Sequence, residues 1–578
     1  MGASSYQQPP PQRPSAPGRT LTAAALLADS SSSSSTRADS PPHSPYALAH
    51  MPALDHAGRE ADLESLKPAA WDDPEDKHLA TVPPRKADAP ASTTSRTWVG
   101  KAWKWLIASD SIEDHGVGPL PKESRTDAKF LSNFTIWLTM NATIACFSTG
   151  TLGPLYYGLS LRDSALVVVF SNILSCGVPA YVATFGPKVG MRTMGLARYS
   201  YGYYFAILPA LLNVISFIGF CAVNSIVAGQ VLAAVNPGHL SVNAGICIVA
   251  VVSMLVSFCG YRVLHAMERW AWLPVLLAFV LLAGFGARHL GSASSFAAGE
   301  PATAGAVLSF LSIIVGFTIS WSGCAADFNT YMRPDVSSLR VWCYTFAGLY
   351  LPCMLIQVMG AAFAAAALSG AVPTWEAAFG DGSVGGLVGV AVEPMKGFGK
   401  FLLVLFSLGM ISNNAPTQYA FSLSLQIVFP FLTRLPRFLL PIVGTAIYLP
   451  IAIAAAAHFA DALSNFLGLL GYWSSIFVAV LLVEHLLFRR GTFASYDLSV
   501  WDRSSRLPPG LAALFASLCG AGLVAVGMDQ VWWRGPLARL VAGPGAESGG
   551  DIAFETGMVV AAVVYVPARW LERRVCRR

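Results

Sequence analysis

The sequence predicts an all-α polytopic membrane protein with twelve transmembrane helices. Two features of composition point there first. Hydrophobic residues make up 54% of the 578 positions, charged residues only 12%, and mean hydropathy is +0.52. A soluble domain carries roughly 25% charged residues. The third observation is a series of apolar runs, each near the roughly 20 residues that cross a hydrocarbon core as a helix.

The first 125 residues are of another kind. They hold SSSSS at 31–35 and the stretch QQPPPQRPSAP, and cannot build a core. They are expected to form a disordered cytoplasmic tail. Its Ser-Pro pairs (Ser40-Pro41, Ser44-Pro45) and lysines suit trafficking or ubiquitination machinery. The TLTAAALLA stretch is too short for a signal peptide. At 98–109, Trp98, Trp103 and Trp105 with Lys101 and Lys104 predict an interfacial helix on an anionic leaflet.

The expected spans are 132–158, 164–186, 206–234, 241–260, 269–288, 305–331, 341–369, 397–428, 437–458, 461–486, 509–528 and 553–571. An even number puts both termini on one side. Connections after even-numbered spans hold Lys188, Arg192, Arg198, Arg262, Arg333, Arg434, Arg489, Arg490, Arg503 and Arg506. Those after odd-numbered spans hold Arg162, Lys396, Arg534 and Arg539. The excess of positive charge predicts that both termini are cytoplasmic.

Several function classes drop out. A net charge of +5 gives no reason to expect a nucleic-acid partner. No CxxC, HExxH or GxSxG occurs, so no metal site and no enzyme is expected. No ring of like charge marks a channel. His265 lies in a basic loop and reads as structural.

Polar residues then single out four spans. In span 1, STGTLGP predicts failing helical hydrogen bonds between Gly150, Gly153 and Pro154. In span 6, Ser320, Ser322 and Gly323 flank Trp321, and the acid Asp327 follows. Breaks at matching positions of two halves point to a transporter site. In span 3, Phe220 and Asn224 stand four apart and share a helical face. In span 8, GMISNNAPTQYAF carries Asn413, Asn414, Pro416 and Gln418. Asn414 and Gln418 share a face, and Asn413 lies beside them. Pro416 frees the carbonyl near Ser412. One amide is expected to meet substrate while the other braces span 1 or span 3.

These stretches, taken in order, resemble the nucleobase–cation symporter family 1, in its fungal-type purine–cytosine permease branch. The matching segments are SIEDHGVGPLP, STGTLGP, AVNSIVAGQ, GYRVLHAMERWAWLP, AADFNTYMRP, SNNAPTQYAFSLSLQ and NFLGLLGYW. The resemblance runs from about residue 110 to the C-terminus. It implies a LeuT-type fold: inverted repeats of five helices over about 132–288 and 305–486, with peripheral helices 11–12 over about 509–571. It implies import of cytosine and purines across the plasma membrane with protons. It also places the substrate among Ser148, Phe220, Asn224, Trp321, Asn413, Asn414 and Pro416. Many relatives carry tryptophan where Phe220 stands, which leaves the range of bases open. Related carriers take thiamine, pyridoxine, allantoin or uracil.

A flat heterocycle wants aromatic faces and amides on its rim, so Trp321 and Phe220 are expected to sandwich it. Asn224, Asn413 or Asn414 would read its edge. No cofactor is implied beyond a coupling ion. For a proton, Asp327 is the nearest intramembrane acid, and a gating salt bridge to Arg333 is the competing role. Sodium, the second choice, would draw on carbonyls of span 1 and hydroxyls such as Ser407 and Ser412.

Overall fold

A computed structural model describes residues 116–576, apart from 259, 298–300, 381, 436–438 and 544–548, and without the side chains of 260–269. The expected tail up to residue 115, with the interfacial helix at 98–109, lies outside the described residues, as do the side chains of Arg262 and His265. Residues 116–125 of that expected tail instead pack on the helical domain, with Leu120 and Arg125 buried and the Leu120 amide donating to Gly190 O at 2.8 Å, and positions 262 and 265 lie in a helix rather than a loop.

Every expected span has a helical counterpart. Span 1 is a pair, α1 (Phe130–Asn141) and α2 (Ile144–Tyr157). Then come α3 (Leu161–Ala183), α4 (Ile207–Val235), α5 (Val242–Phe258) and α6 (Gly260–Leu290). The second set is α7 (Ala304–Ile319), α8 (Ser338–Leu368), α9 (Gly397–Val428), α10 (Leu439–Ala455) and α11 (Phe459–Val483). Two more follow, α12 (Leu511–Gly527) and α13 (Ala553–Cys576). Among the described residues, eight segments are long and apolar enough to cross a membrane, or nine with the bent α1–α2 pair. The number falls below twelve because α5 and α12 have 17 residues each, and because α10 and α11 join in one 50-residue segment.

The helices pack in two groups. α1–α2, α3, α7 and α8 lie together, and α4, α5, α9 and α10 form the other group. Contacts recur five spans apart. α2 packs on α8 as α7 packs on α3, and α5 packs on α9 as α10 packs on α4. Within the first group polar pairs bind helix to helix. Asn133 Nδ2 donates to Thr345 Oγ1 at 2.8 Å, Asn172 Nδ2 to Gln357 Oε1 at 2.7 Å, and Thr318 Oγ1 to Ser175 Oγ at 2.6 Å. Away from water such groups need partners, and these side chains find them in the neighbouring helix.

The span 1 break is not where the glycines and proline placed it. It falls at Ala142–Thr143, where the pair bends by 53°. Asn141 Nδ2 donates back to Trp137 O at 2.9 Å. Thr143 is extended and caps α2 by accepting from the Cys146 amide at 3.3 Å. Both are residues whose side chains compete with helical bonding and favour helix ends. Gly150 and Gly153 serve packing instead. A Cβ at Gly150 would lie 1.9 Å from Gln357 O of α8, and one at Gly153 would lie 2.9 Å from the Phe310 ring. Pro154 stays inside the last turn of α2. The span 6 break falls as expected: α7 ends at Ile319 and passes into 3₁₀ turns, Ser320–Gly323 and Asp327–Asn329.

α13 is fastened to α11 on the basic side. Buried Glu484 pairs with Arg569 at 3.0 Å and Arg489 at 3.2 Å, and accepts from Tyr565 at 2.9 Å. On the opposite side a strap crosses the ends of α7 and α11. It holds the hairpin of β1 (Asp529–Gln530) and β2 (Trp533–Arg534). Its buried Asp551 accepts from the Tyr472 hydroxyl of α11 and from the amides of Asp529 (3.1 Å) and Ala553 (3.0 Å).

Two outcomes are expected. Gly150→Ala should force α2 from α8, read as loss of a monodisperse peak on size-exclusion chromatography in detergent. Burial pushes the Asp551 carboxyl up to about 6 from its ordinary 3.8. A raised carboxyl binds its proton more tightly in the folded state, so its contribution is full below pH 3.8 and is lost as pH rises through about 6. Melting temperature should therefore fall between pH 4 and 7 in the wild type, and less steeply in Asp551→Asn.

Candidate functional site

The two breaks meet α4 and α9 at the centre of the protein. Phe220 and Asn224 face inward from α4, as their four-residue spacing requires. Trp321 projects from the 3₁₀ turn after α7. Phe220 is 6% exposed, Asn224 2% and Trp321 3%.

The asparagines form one knot. Asn224 Nδ2 donates to Asn413 Oδ1 at 2.7 Å and to Asn414 Oδ1 at 2.9 Å. Asn413 Nδ2 donates to Met140 O, a carbonyl at the end of α1 beside the break. Asn414 Nδ2 reaches Ser225 Oγ and Ser253 Oγ at 3.4 and 3.5 Å. Both adjacent asparagines therefore brace helices: Asn413 holds span 1, and Asn414 holds spans 3 and 4. Among the described residues no group donates to Asn224 Oδ1, whereas the amide oxygens of Asn413 and Asn414 each accept from Asn224 Nδ2.

Pro416 lies within a continuous α9, and the Thr417 hydroxyl donates to Asn413 O at 2.8 Å. Gln418 faces away from the breaks. It accepts from Ser257 at 3.0 Å and donates to Tyr448 at 3.4 Å. Ser148 is fully buried and donates to Ile144 O of its own helix at 2.8 Å, so its proton is used within α2 and only its oxygen lone pairs remain to accept.

The aromatic sandwich is closed. Phe220 and Trp321 stack on each other, with centroids 5.6 Å apart and planes 18° from parallel. A ring between them needs roughly 7 Å, two carbon contacts of about 3.5 Å. The pair must part before a flat guest can enter. Phe466 of α11 stands edge-on to Phe220 at 5.3 Å. It divides the site from an apolar groove of about 570 Å³ between α4, α11 and α12.

Asp327 has a different partner from the one expected. Arg333 pairs with Asp335, at 2.6 and 2.9 Å. Asp327 Oδ1 instead accepts from the Thr193 amide at 2.7 Å, and Arg192 Nη1 donates to Asp327 O at 2.8 Å. Arg192 is fully buried beneath the rings of Tyr331 and Tyr419. The connection after span 2 is thus latched to the end of span 6. Nearby, Asn213 Nδ2 of α4 donates to Gly323 O and to Ser424 Oγ of α9. Neither Arg192 nor Asn213 was singled out from sequence. A buried arginine in a loop shows no helical pattern that would mark it.

A break in each of two matched helices, with aromatic and amide groups between them, defines a helical multi-pass membrane transporter. The chain belongs to the nucleobase–cation symporter family 1, in the fungal-type purine–cytosine permease branch. A family model described as permease for cytosine/purines, uracil, thiamine, allantoin matches residues 119–551. The purine-cytosine permease FCY2 of Saccharomyces cerevisiae is 36% identical over 491 residues, 83% of this chain and 89% of that one. The vitamin B6 transporter TPN1 of the same yeast is 30% identical over 541 residues, covering 85% and 92%. The fold matches that of Mhp1, a nucleobase-cation-symport-1 family transporter solved in a closed conformation with bromovinylhydantoin bound. The TM-score is 0.63 at 16% identity, covering 80% of this chain and 96% of that one. The fold is LeuT-like.

Asn413→Ala would leave Met140 O without its donor and remove an acceptor from Asn224. An unpaired buried polar group costs about 1–3 kcal/mol. A lower melting temperature in detergent, with normal membrane insertion, is the expected result.

Proposed function

We propose that the protein imports nucleobases, cytosine and purines such as adenine, guanine and hypoxanthine, by proton symport with alternating access. The observation that carries this reading is the meeting of Phe220, Trp321 and the Asn224 acceptor at two broken helices. Aromatic faces bind any base, and a rim acceptor selects its N–H groups. In this reading the protein sits in the plasma membrane with twelve spans and cytoplasmic termini. The recurrence of packing five spans apart supports two repeats of five helices, with α12 and α13 peripheral.

A proton is the coupling ion in this scheme and sodium the alternative. Ser407 Oγ donates to Ala228 O at 3.3 Å and Leu403 O at 3.2 Å and keeps its lone pairs, and Ser412 Oγ has no hydrogen-bond partner among the described residues, so both hydroxyls could still ligate a cation. Asp327 acts in this scheme as the inner latch with Arg192 and Thr193, which must open to release substrate inward.

A second reading is a carrier of a pyridoxine-like ring. Phe220 supplies a face without an indole donor, and the 30% identity to a vitamin B6 transporter favours it.

The test is uptake of labelled cytosine in cells lacking their own carriers, with unlabelled purines, pyrimidines and vitamins as competitors. Purines should compete and pyridoxine should not; the reverse supports the second reading. A protonophore should stop uptake, and replacing sodium with choline should leave it intact. The opposite pair of results would assign sodium.

A further inference from the structure

Trp137 lies outside the set of residues that the sequence singled out. It sits on α1, one turn before the span 1 break, and is fully buried. Its indole stands edge-on to Trp321, with centroids 5.8 Å apart and planes at 85°. On another side it meets Phe328 edge-on at 5.5 Å. Its Nε1 has no hydrogen-bond partner, and neither has Nε1 of Trp321. Buried tryptophan normally finds a partner for this group. Two orphaned indole donors side by side, at the point where both helices break, are a cost that a guest can relieve.

The asparagine knot sharpens the point. The amide nitrogens of Asn224, Asn413 and Asn414 all donate within the protein. Among the described residues at the two breaks, the indole N–H groups of Trp137 and Trp321 have no partner, and the hydroxyls of Ser322 and Ser412 beside them are likewise unpaired. Perpendicular planes let one indole stack on a flat guest while the other meets its rim. We propose that Trp137 is a further specificity-determining residue, whose indole N–H donates to a carbonyl oxygen on the heterocycle and so favours oxo-substituted bases over their amino counterparts.

This inference rests on the nucleobase reading above. Hypoxanthine and adenine form a matched pair, oxo against amino at one ring position. Full-length protein is assayed for labelled adenine uptake, with unlabelled hypoxanthine, adenine and unsubstituted purine as competitors. The wild type should bind hypoxanthine more tightly than purine. Trp137→Phe keeps a ring and removes the donor. It should shift the hypoxanthine-to-adenine inhibition ratio about tenfold toward adenine, within the roughly 5–150-fold that 1–3 kcal/mol represents. An unchanged ratio in a variant that reaches the membrane overturns the assignment. So does a wild type that does not favour hypoxanthine over purine, a result independent of how the variant folds. If no base is carried or competes, the nucleobase reading falls and takes this inference with it. Base transport without the oxo preference removes this inference alone.

Discussion

The centre of this protein is organised by the cost of leaving an amide unpaired in a water-poor interior. Asn224, Asn413 and Asn414 meet that cost together, and in doing so they fix four elements at once. α4 and α9 are joined amide to amide, α1 is held through Met140 O, and α5 is drawn in through Ser253. The position of the broken span 1 therefore depends on a side chain of α9. Buried polar networks of this kind are stabilising only when every member is satisfied, which makes them sensitive points. Here one acceptor, Asn224 Oδ1, remains outside the account.

The architecture was largely legible in the sequence because hydrocarbon imposes a length and a polarity that composition reveals directly. Each apolar run became a helix, and the Phe220–Asn224 spacing put both on the inward face. The span 6 break fell among its small and polar residues. The span 1 break was misplaced for a physical reason. Glycine and proline were read as weak points, whereas Gly150 and Gly153 let α2 press against its neighbours. The chain unwinds where Asn141 and Thr143 offer the backbone side-chain hydrogen bonds.

Contacts between distant segments were beyond the sequence. Adjacent asparagines had to point apart, but nothing local says that one would hold span 1 and the other spans 3 and 4. Asp327 lies six residues before Arg333 and still finds its partners in Arg192 and Thr193, more than 130 positions away. Trp137 gave no signal at all, since one tryptophan in an apolar helix is ordinary. Its importance comes from an unpaired nitrogen, which only coordinates display.

The stack of Phe220 on Trp321 has a consequence for how a flat ring could be taken up. A guest sliding between the two rings exchanges one aromatic contact for two, so little apolar surface has to be wetted on the way.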